Sequence, residues 1–179
     1  MVIYSHHEKT STASLLLALV DLYGLVYAEP PYNEGTEQVE RFRASLGEEL
    51  TRPGFSLIAA ANGERLVGAT YGWTMPAGKW WSRSDQDPPL DVSEVDKFAV
   101  MEWIVHPNWR GKGIGAELIR RLLNDRQEPY ATLASDPRSA ARAMYERSGW
   151  LQVARTKLTW GPEMDLLVLD IREMSSPHE

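Results

Sequence analysis

The chain has 179 residues, a formal net charge of −6 and no cysteine. That length suits a single domain over residues 1–179 that buries about two thirds of its unfolded surface. The negative balance excludes a broad basic face for nucleic acid, and the lack of cysteine excludes a disulfide framework, which leaves a cytoplasmic location as the default.

Val2–Tyr4 reads as a short edge strand. His6 and His7 with Glu8 read as a solvated turn, because adjacent histidines lack the spacing and further ligands of a closed metal site, so no metal is expected. Leu15, Leu16, Leu19, Leu22, Tyr23 and Val26 make one helical stripe, with Thr10 or Ser11 as its cap. The apolar run Ala13–Val20 is too short to span a membrane and Asp21 follows it, so no membrane partner is expected. After the turn-rich Glu29–Gly35, a second helix over Thr36–Leu50 carries Val39, Phe42, Leu46 and Leu50 and ends at Pro53-Gly54.

Phe55–Ala60 and Leu66–Trp73 read as an antiparallel hairpin across Asn62-Gly63, a dipeptide that supplies positive φ angles. Gly68 and Gly72 thin one face of the second strand, either for close approach of a backbone or ligand or for twist relief. Met75–Glu94 is a long connection without periodicity. Its Trp80 and Trp81 form an aromatic wall for a ligand or a plug folded back on the core.

The most informative stretch is 98–123. Phe98–Val105 is apolar enough for a buried strand, and Pro107 stops it. Arg110-Gly111-Lys112-Gly113-Ile114-Gly115 follows, and then Ile114, Leu118, Ile119, Leu122 and Leu123 recur at helical spacing. Alternate glycines opening a helix, flanked by two cations, suit a pyrophosphate: the first N–H groups are unpaired and no side chain keeps the anion away. The spacing matches neither a P-loop nor a dinucleotide fingerprint. Downstream, Tyr130–Ala134 reads as a strand, Asp136-Pro137 as the cap of a helix reaching Ser148, and Gly149 as its stop. Trp150–Lys157 and Met164–Ile171 read as a closing strand pair across Trp160-Gly161-Pro162, and the tail from Met174 as frayed.

Arg110-x-x-Gly113-x-Gly115 after a strand ending Val105-x-Pro107 resembles the acyl-CoA signature of the GNAT N-acetyltransferase superfamily. Ala141-Arg142-Ala143-Met144-Tyr145-Glu146-Arg147-Ser148-Gly149-Trp150 is similar to a second segment of that family. The resemblance implies an α/β fold of the α+β type: a mixed, mostly antiparallel twisted sheet of six to seven strands with about four helices, in which two strands splay to form the acyl-CoA cleft.

It further implies that acetyl-CoA is the cosubstrate, held by the main chain of Trp103, Ile104 and Val105 and by Arg110, Gly111, Lys112, Gly113, Ile114 and Gly115. Tyr145 matches the family's tyrosine near the sulfur. Glu102 is a carboxylate in a run too apolar for a casual charge, which makes it a general base or half of a structural ion pair. Tyr32, Trp73, Trp80 and Trp81 are the aromatic candidates for the acceptor site, with packing as the alternative for Tyr32. Arg138 stands where the family often has an asparagine, which removes one expected cofactor contact.

The expected activity is direct transfer to an amine, most simply that of a small molecule. A protein or peptide amine, or a non-catalytic acyl-CoA-binding module, are the competing readings, and a homodimer is compatible with all of them.

Overall fold

The computed structural model describes residues 1–157, 159 and 161–175. In chain order the elements are β1 (Val2–His7), α1 (Lys9–Thr12), α2 (Leu16–Tyr27), α3 (Thr36–Glu49), β2 (Ser56–Asn62), β3 (Arg65–Met75), α4 (Leu90–Ser93), β4 (Lys97–Val105), α5 (Ile114–Leu123), β5 (Tyr130–Ser135), α6 (Ala140–Arg147), β6 (Leu151–Lys157) and β7 (Glu163–Asp170). The strands form one mixed sheet in the order β1-β2-β3-β4-β5-β7-β6. The pairs β1/β2, β2/β3, β5/β7 and β6/β7 are antiparallel, and β4/β5 is parallel.

The chain divides into two compact units, one of Met1–Trp73 with Met101–Leu122, the other of Thr74–Val100 with the chain from Leu123 on. The first unit is built on the face of α2 that carries Leu19, Val20, Leu22, Tyr23 and Val26, packed with Phe42 and Leu46 of α3 and with Leu57, Ala59, Ala69, Tyr71 and Ile104 of the sheet. In the second unit Val92, Tyr130 and Val168 form a smaller cluster with Trp80, Val95 and Val153 against it.

Several boundaries differ from the sequence reading. β1 runs through His7 instead of ending at Tyr4, because His6 and His7 pair with Ile58 and Leu57. They are ladder residues, not a turn, and His6 Nε2 meets Ser56 Oγ at 2.7 Å. The first helix does not start at a Thr10 or Ser11 cap: α1 begins at Lys9, and the Glu8 N–H donates to Ser11 Oγ at 3.1 Å. A 3-10 turn over Ala13–Leu15 then leads into α2. The helical stretch Lys9–Tyr27 is therefore 19 residues, long and apolar enough by length and composition to cross a membrane, which counting only Ala13–Val20 concealed. Part of its apolarity serves a core face, where Leu19, Val20 and Leu22 are buried, while Leu17 and Leu25 are exposed.

The hairpin turn sits one residue later than Asn62-Gly63. Asn62 still pairs with Arg65, so Gly63 and Glu64 make the turn, with Gly63 at φ +60. The Asn62 side chain accepts a bond from the Met1 ammonium at 3.1 Å. Trp160, in the other expected turn, and the tail after Ser175 lie outside the described residues.

α5 lies directly on β3 because position 68 has no side chain. A Cβ there would meet Leu118 Cδ1 at 3.0 Å, Ile114 Cγ2 at 3.2 Å and the Ile104 carbonyl at 3.3 Å. Gly68 thus serves close packing of a helix and a backbone, which decides between the alternatives read from sequence. Gly68→Val is expected to lower stability by about 2 kcal/mol or more through overpacking, whereas Gly47→Ala, where a Cβ meets nothing within 4 Å, raises it slightly. Urea denaturation of the two variants checks the contrast.

Candidate active site

The glycine loop enters α5 in the conformation that its composition demands. Gly111 and Gly113 have φ of +73 and +77, where a β-carbon is strained. The Gly113 carbonyl accepts the first helical bond, from the Glu117 N–H at 3.1 Å, so the N–H groups of the first turn of α5 are the orphan donors of a helix start. Gly115 is fixed from β4, since the Trp103 indole Nε1 donates to its carbonyl at 2.9 Å.

The two cations stand beside this turn on neighbouring groups. Arg110 Nε donates to the Val105 carbonyl at 3.2 Å, and Nη1 donates to Glu29 Oε2 at 2.7 Å. Lys112 Nζ lies 4.6 Å from the centre of the Trp109 ring. The Arg110–Glu29 pair is about half exposed, at 47% and 41% of the side chains, and a pair so wet is worth at most about 1 kcal/mol. A diphosphate can therefore take the guanidinium at little cost. Both ring nitrogens of the adjacent His106 are engaged, Nε2 with Arg65 Nη2 at 2.7 Å and Nδ1 with the Asn108 N–H at 3.2 Å, and burial, then the charges of Arg65 and Arg110, hold it below the ordinary histidine value.

β4 pairs with β5 over Lys97–Ala99 and Tyr130–Thr132. Trp103, Ile104 and Val105 lie beyond that ladder. The Ile104 side chain belongs to the core at 2% exposure, so only its main chain could serve a ligand.

Glu102 has no ion-pair partner among the described residues. The Tyr27 hydroxyl donates to its Oε2 at 2.5 Å, and its own carbonyl accepts from Thr70 Oγ1 at 2.9 Å. A structural ion pair, one of the two readings from sequence, is thereby replaced by a phenol–carboxylate pair. Two more such pairs surround it. Tyr23 donates to Glu34 Oε2 and Tyr71 to Glu49 Oε2, both at 2.6 Å. Burial pushes the Glu102 carboxyl up to about 8; the Tyr27 bond opposes this, and Glu49 and Glu34 add to it. The same burial, with the Glu102 charge next, raises the Tyr27 and Tyr71 phenols well above their ordinary range.

Tyr32 stacks edge-on against Tyr27 at 4.8 Å and 79°, so it is joined to the Glu102 cluster. Trp73 packs on the same core, with Arg52 at 5.8 Å over its ring. Trp80 and Trp81 belong to the second unit. Trp80 Nε1 donates to Ser84 Oγ at 3.1 Å, and Trp81 Nε1 to Thr132 Oγ1 at 2.9 Å. The polar edge of each ring is thus spent on anchoring the loop, and both rings remain partly exposed.

Tyr145 also lies in the second unit, buried on α6 with its ring 6.3 Å from that of Trp150. The helix that carries it starts later than expected, with Ser139 in the N-cap position. Asp136 instead closes the preceding turn, accepting the Arg138 N–H at 2.8 Å and its guanidinium at 3.0 and 2.7 Å. That guanidinium holds the Asp136 carboxyl below the usual range, which occupies Arg138 and keeps Asp136 from acting as a base. The Ser139 hydroxyl is buried without a hydrogen-bond partner. Among the described residues no group of three His, Cys, Asp or Glu could hold a metal ion.

Sequence reasoning missed Tyr23, Tyr27, Glu34, Glu49 and Tyr71 as parts of this cluster. A signal existed in α2, where Tyr23 and Tyr27 are four residues apart and one turn from leucines: a phenol on a buried stripe needs an acceptor.

Residues 19–150 match the model of the acetyltransferase (GNAT) family, and the chain belongs to that family. No match was found among curated proteins. Solved structures of similar fold include a Pyrococcus horikoshii protein, PH1933, at 18% identity and TM-score 0.66, covering 95% of this chain and 98% of that one. The PaiA N-acetyltransferase of Thermoplasma acidophilum in complex with coenzyme A aligns at 12% identity and TM-score 0.60, covering 95% and 99%. An aminoglycoside 6'-N-acetyltransferase complexed with coenzyme A aligns at 16% and 0.61, covering 94% and 97%. At these identities the likeness establishes the GNAT fold.

A carboxyl titrating near 8 in the folded chain and near 4.5 unfolded binds more protons when folded throughout that interval. Its contribution is complete below about 4.5, falls as pH rises through the window and levels off above about 8. The expected slope is about 1 kcal/mol of stability lost per pH unit between pH 5 and 8. Glu102→Gln is expected to flatten that slope, as read from urea unfolding at several pH values.

Proposed function

We propose that this chain is an acetyl-CoA-dependent N-acetyltransferase that moves an acetyl group directly to the amine of a small molecule. The observation that carries the reading is Glu102: a carboxyl group bonded by the Tyr27 phenol and without a cationic partner among the described residues, whose proton affinity is raised into the range where a base works near neutral pH.

The loop residues fit a coenzyme A diphosphate. Gly111 and Gly113 keep the approach to the first turn of α5 free of β-carbons, and Arg110 and Lys112 supply positive charge beside it. The main chain of Trp103 to Val105, beyond the β5 ladder, would pair with the amides of the pantetheine arm as an added strand does. When bound, the acetyl thioester supplies the acyl group and a thiolate leaving group. Glu102 takes the proton of the attacking amine; by its match to the family's tyrosine near the sulfur, Tyr145 is the candidate donor to the departing thiolate. A covalent acyl-enzyme is disfavoured because the chain has no cysteine. Glu34 and Glu49, partly buried beside Glu102, favour an acceptor that arrives as a cation.

A panel of small amines, polyamines, amino acids and peptides, followed by release of free CoA thiol, tests the reading. Turnover is expected with a small amine, rising with pH and levelling above about 8 as Glu102 becomes ionised. Glu102→Gln is expected to lower kcat by about 100-fold, and Tyr145→Phe by about 10- to 100-fold, with coenzyme A affinity retained. Tight acetyl-CoA binding without transfer to any amine, unchanged in either variant, would instead identify a binding module.

Arg110→Ala is expected to weaken coenzyme A binding about tenfold and to reduce its salt dependence, measured by calorimetry from 50 to 300 mM salt, conditions chosen around a Debye length of about 10 Å. A salt response equal to that of the parent would remove Arg110 from the diphosphate site.

A further inference from the structure

We infer that Tyr27 is a positioning residue for this reaction: its phenol fixes the carboxyl of Glu102 through Oε2 and leaves Oε1 as the oxygen that receives the amine proton. The inference rests on the reading of Glu102 as the base, and adds a residue that neither the glycine loop nor the Tyr145 segment contains.

Tyr27 is the last residue of α2, and its ring is held on two sides. The Tyr23 ring lies 4.4 Å away at 45°, and the Tyr32 ring 4.8 Å away at 79°. Its carbonyl accepts the Glu34 N–H at 2.8 Å, which ties the following loop back onto the helix end. With the ring clamped, the hydroxyl is directed to Glu102 Oε2 at 2.5 Å. The other end of Glu102 is fixed as well, because Thr70 Oγ1 holds its carbonyl at 2.9 Å. The carboxyl is therefore restrained at backbone and tip, as a proton acceptor aimed at a substrate needs to be.

The titratable groups that face Glu102 are Tyr23 and Tyr27 from α2, Glu34 from the loop after it, Glu49 from α3 and Tyr71 from β3. No arginine, lysine or histidine forms an ion pair with it among the described residues. Tyr23 and Tyr71 donate their hydrogen bonds to Glu34 and Glu49, so Tyr27 is the phenol that serves Glu102. Burial and two neighbouring carboxylates oppose ionisation of Glu102, and the Tyr27 bond favours it. Tyr27 thus has two effects, orientation and keeping the charged form within reach at neutral pH, and the second separates it from mere packing.

Tyr27→Phe keeps the ring and removes the donor; 3-fluorotyrosine at position 27 keeps the shape and strengthens the donor. Each is compared with the parent for kcat against pH on an amine accepted in the panel, for KM of acetyl-CoA, and for the Glu102 carboxyl by carbon NMR. The Phe variant is expected to move the rate inflection and the carboxyl titration together to higher pH by about one unit. Its kcat at pH 7 is expected to fall about tenfold, with KM for acetyl-CoA unchanged and activity returning at high pH. The fluorinated protein is expected to shift both the other way, and it carries the test alone if the Phe variant does not fold. A pH profile superimposable on that of the parent in the variants that fold would reduce Tyr27 to packing, while Glu102 as base would stand if Glu102→Gln remains inactive. Parent-like kcat in Glu102→Gln would overturn both.

Discussion

Putting a carboxylate into an apolar, aromatic core is costly unless donors meet it, and in this chain the donors are phenols. Three tyrosines from α2 and β3 answer three glutamates from the loop after α2, from α3 and from β4. A lysine or arginine would have answered the charge more fully, and would have locked the proton affinity of Glu102 low. A phenol neutralises nothing. It orients the carboxylate, stabilises it partly, and leaves its affinity raised by burial. The sheet and the helices of the first unit bring each phenol within 2.5 to 2.6 Å of its own carboxyl oxygen, so the environment of Glu102 depends on tertiary packing throughout that unit.

The glycine loop depends on a different constraint. α5 must start a short loop after β4 ends, with its first N–H groups unobstructed. Trp103 fixes the first turn from below by bonding the Gly115 carbonyl, and Ile114 and Leu118 settle over Gly68 of β3. The loop glycines permit the left-handed backbone, and Gly68 permits the helix to lie close. Arg110 rests on the Val105 carbonyl and Glu29, and Lys112 on Trp109.

What was readable in the amino-acid sequence divides along these lines. The glycine loop, the strand before it and the helix after it are local, and spacing alone places them. The hairpin is local too, though its turn falls on Gly63 and Glu64 because Asn62 keeps a ladder partner. The Tyr145 helix and its Gly149 stop are likewise in sequence, but its start is not: Asp136 has a stronger partner in Arg138 than a helix end could offer. Glu102 was visible as an anomaly of composition, while its partner lies 75 residues away, and no periodicity reports a contact at that distance. Trp80 and Trp81 were visible as unusual, but which surface they meet is decided by the hydroxyls of Ser84 and Thr132.

Position 68 has an evolutionary reading. Every single-base change in a glycine codon that alters the residue introduces at least a β-carbon or ends the chain, so no neighbouring codon preserves the contact between Leu118, Ile114 and the strand beneath them. Drift there requires a compensating loss of volume on α5, and Leu118 and Ile114 are both core residues at 0% and 3% exposure. A side chain at position 68 is therefore accommodated only as far as Leu118 and Ile114 can move off the strand beneath them.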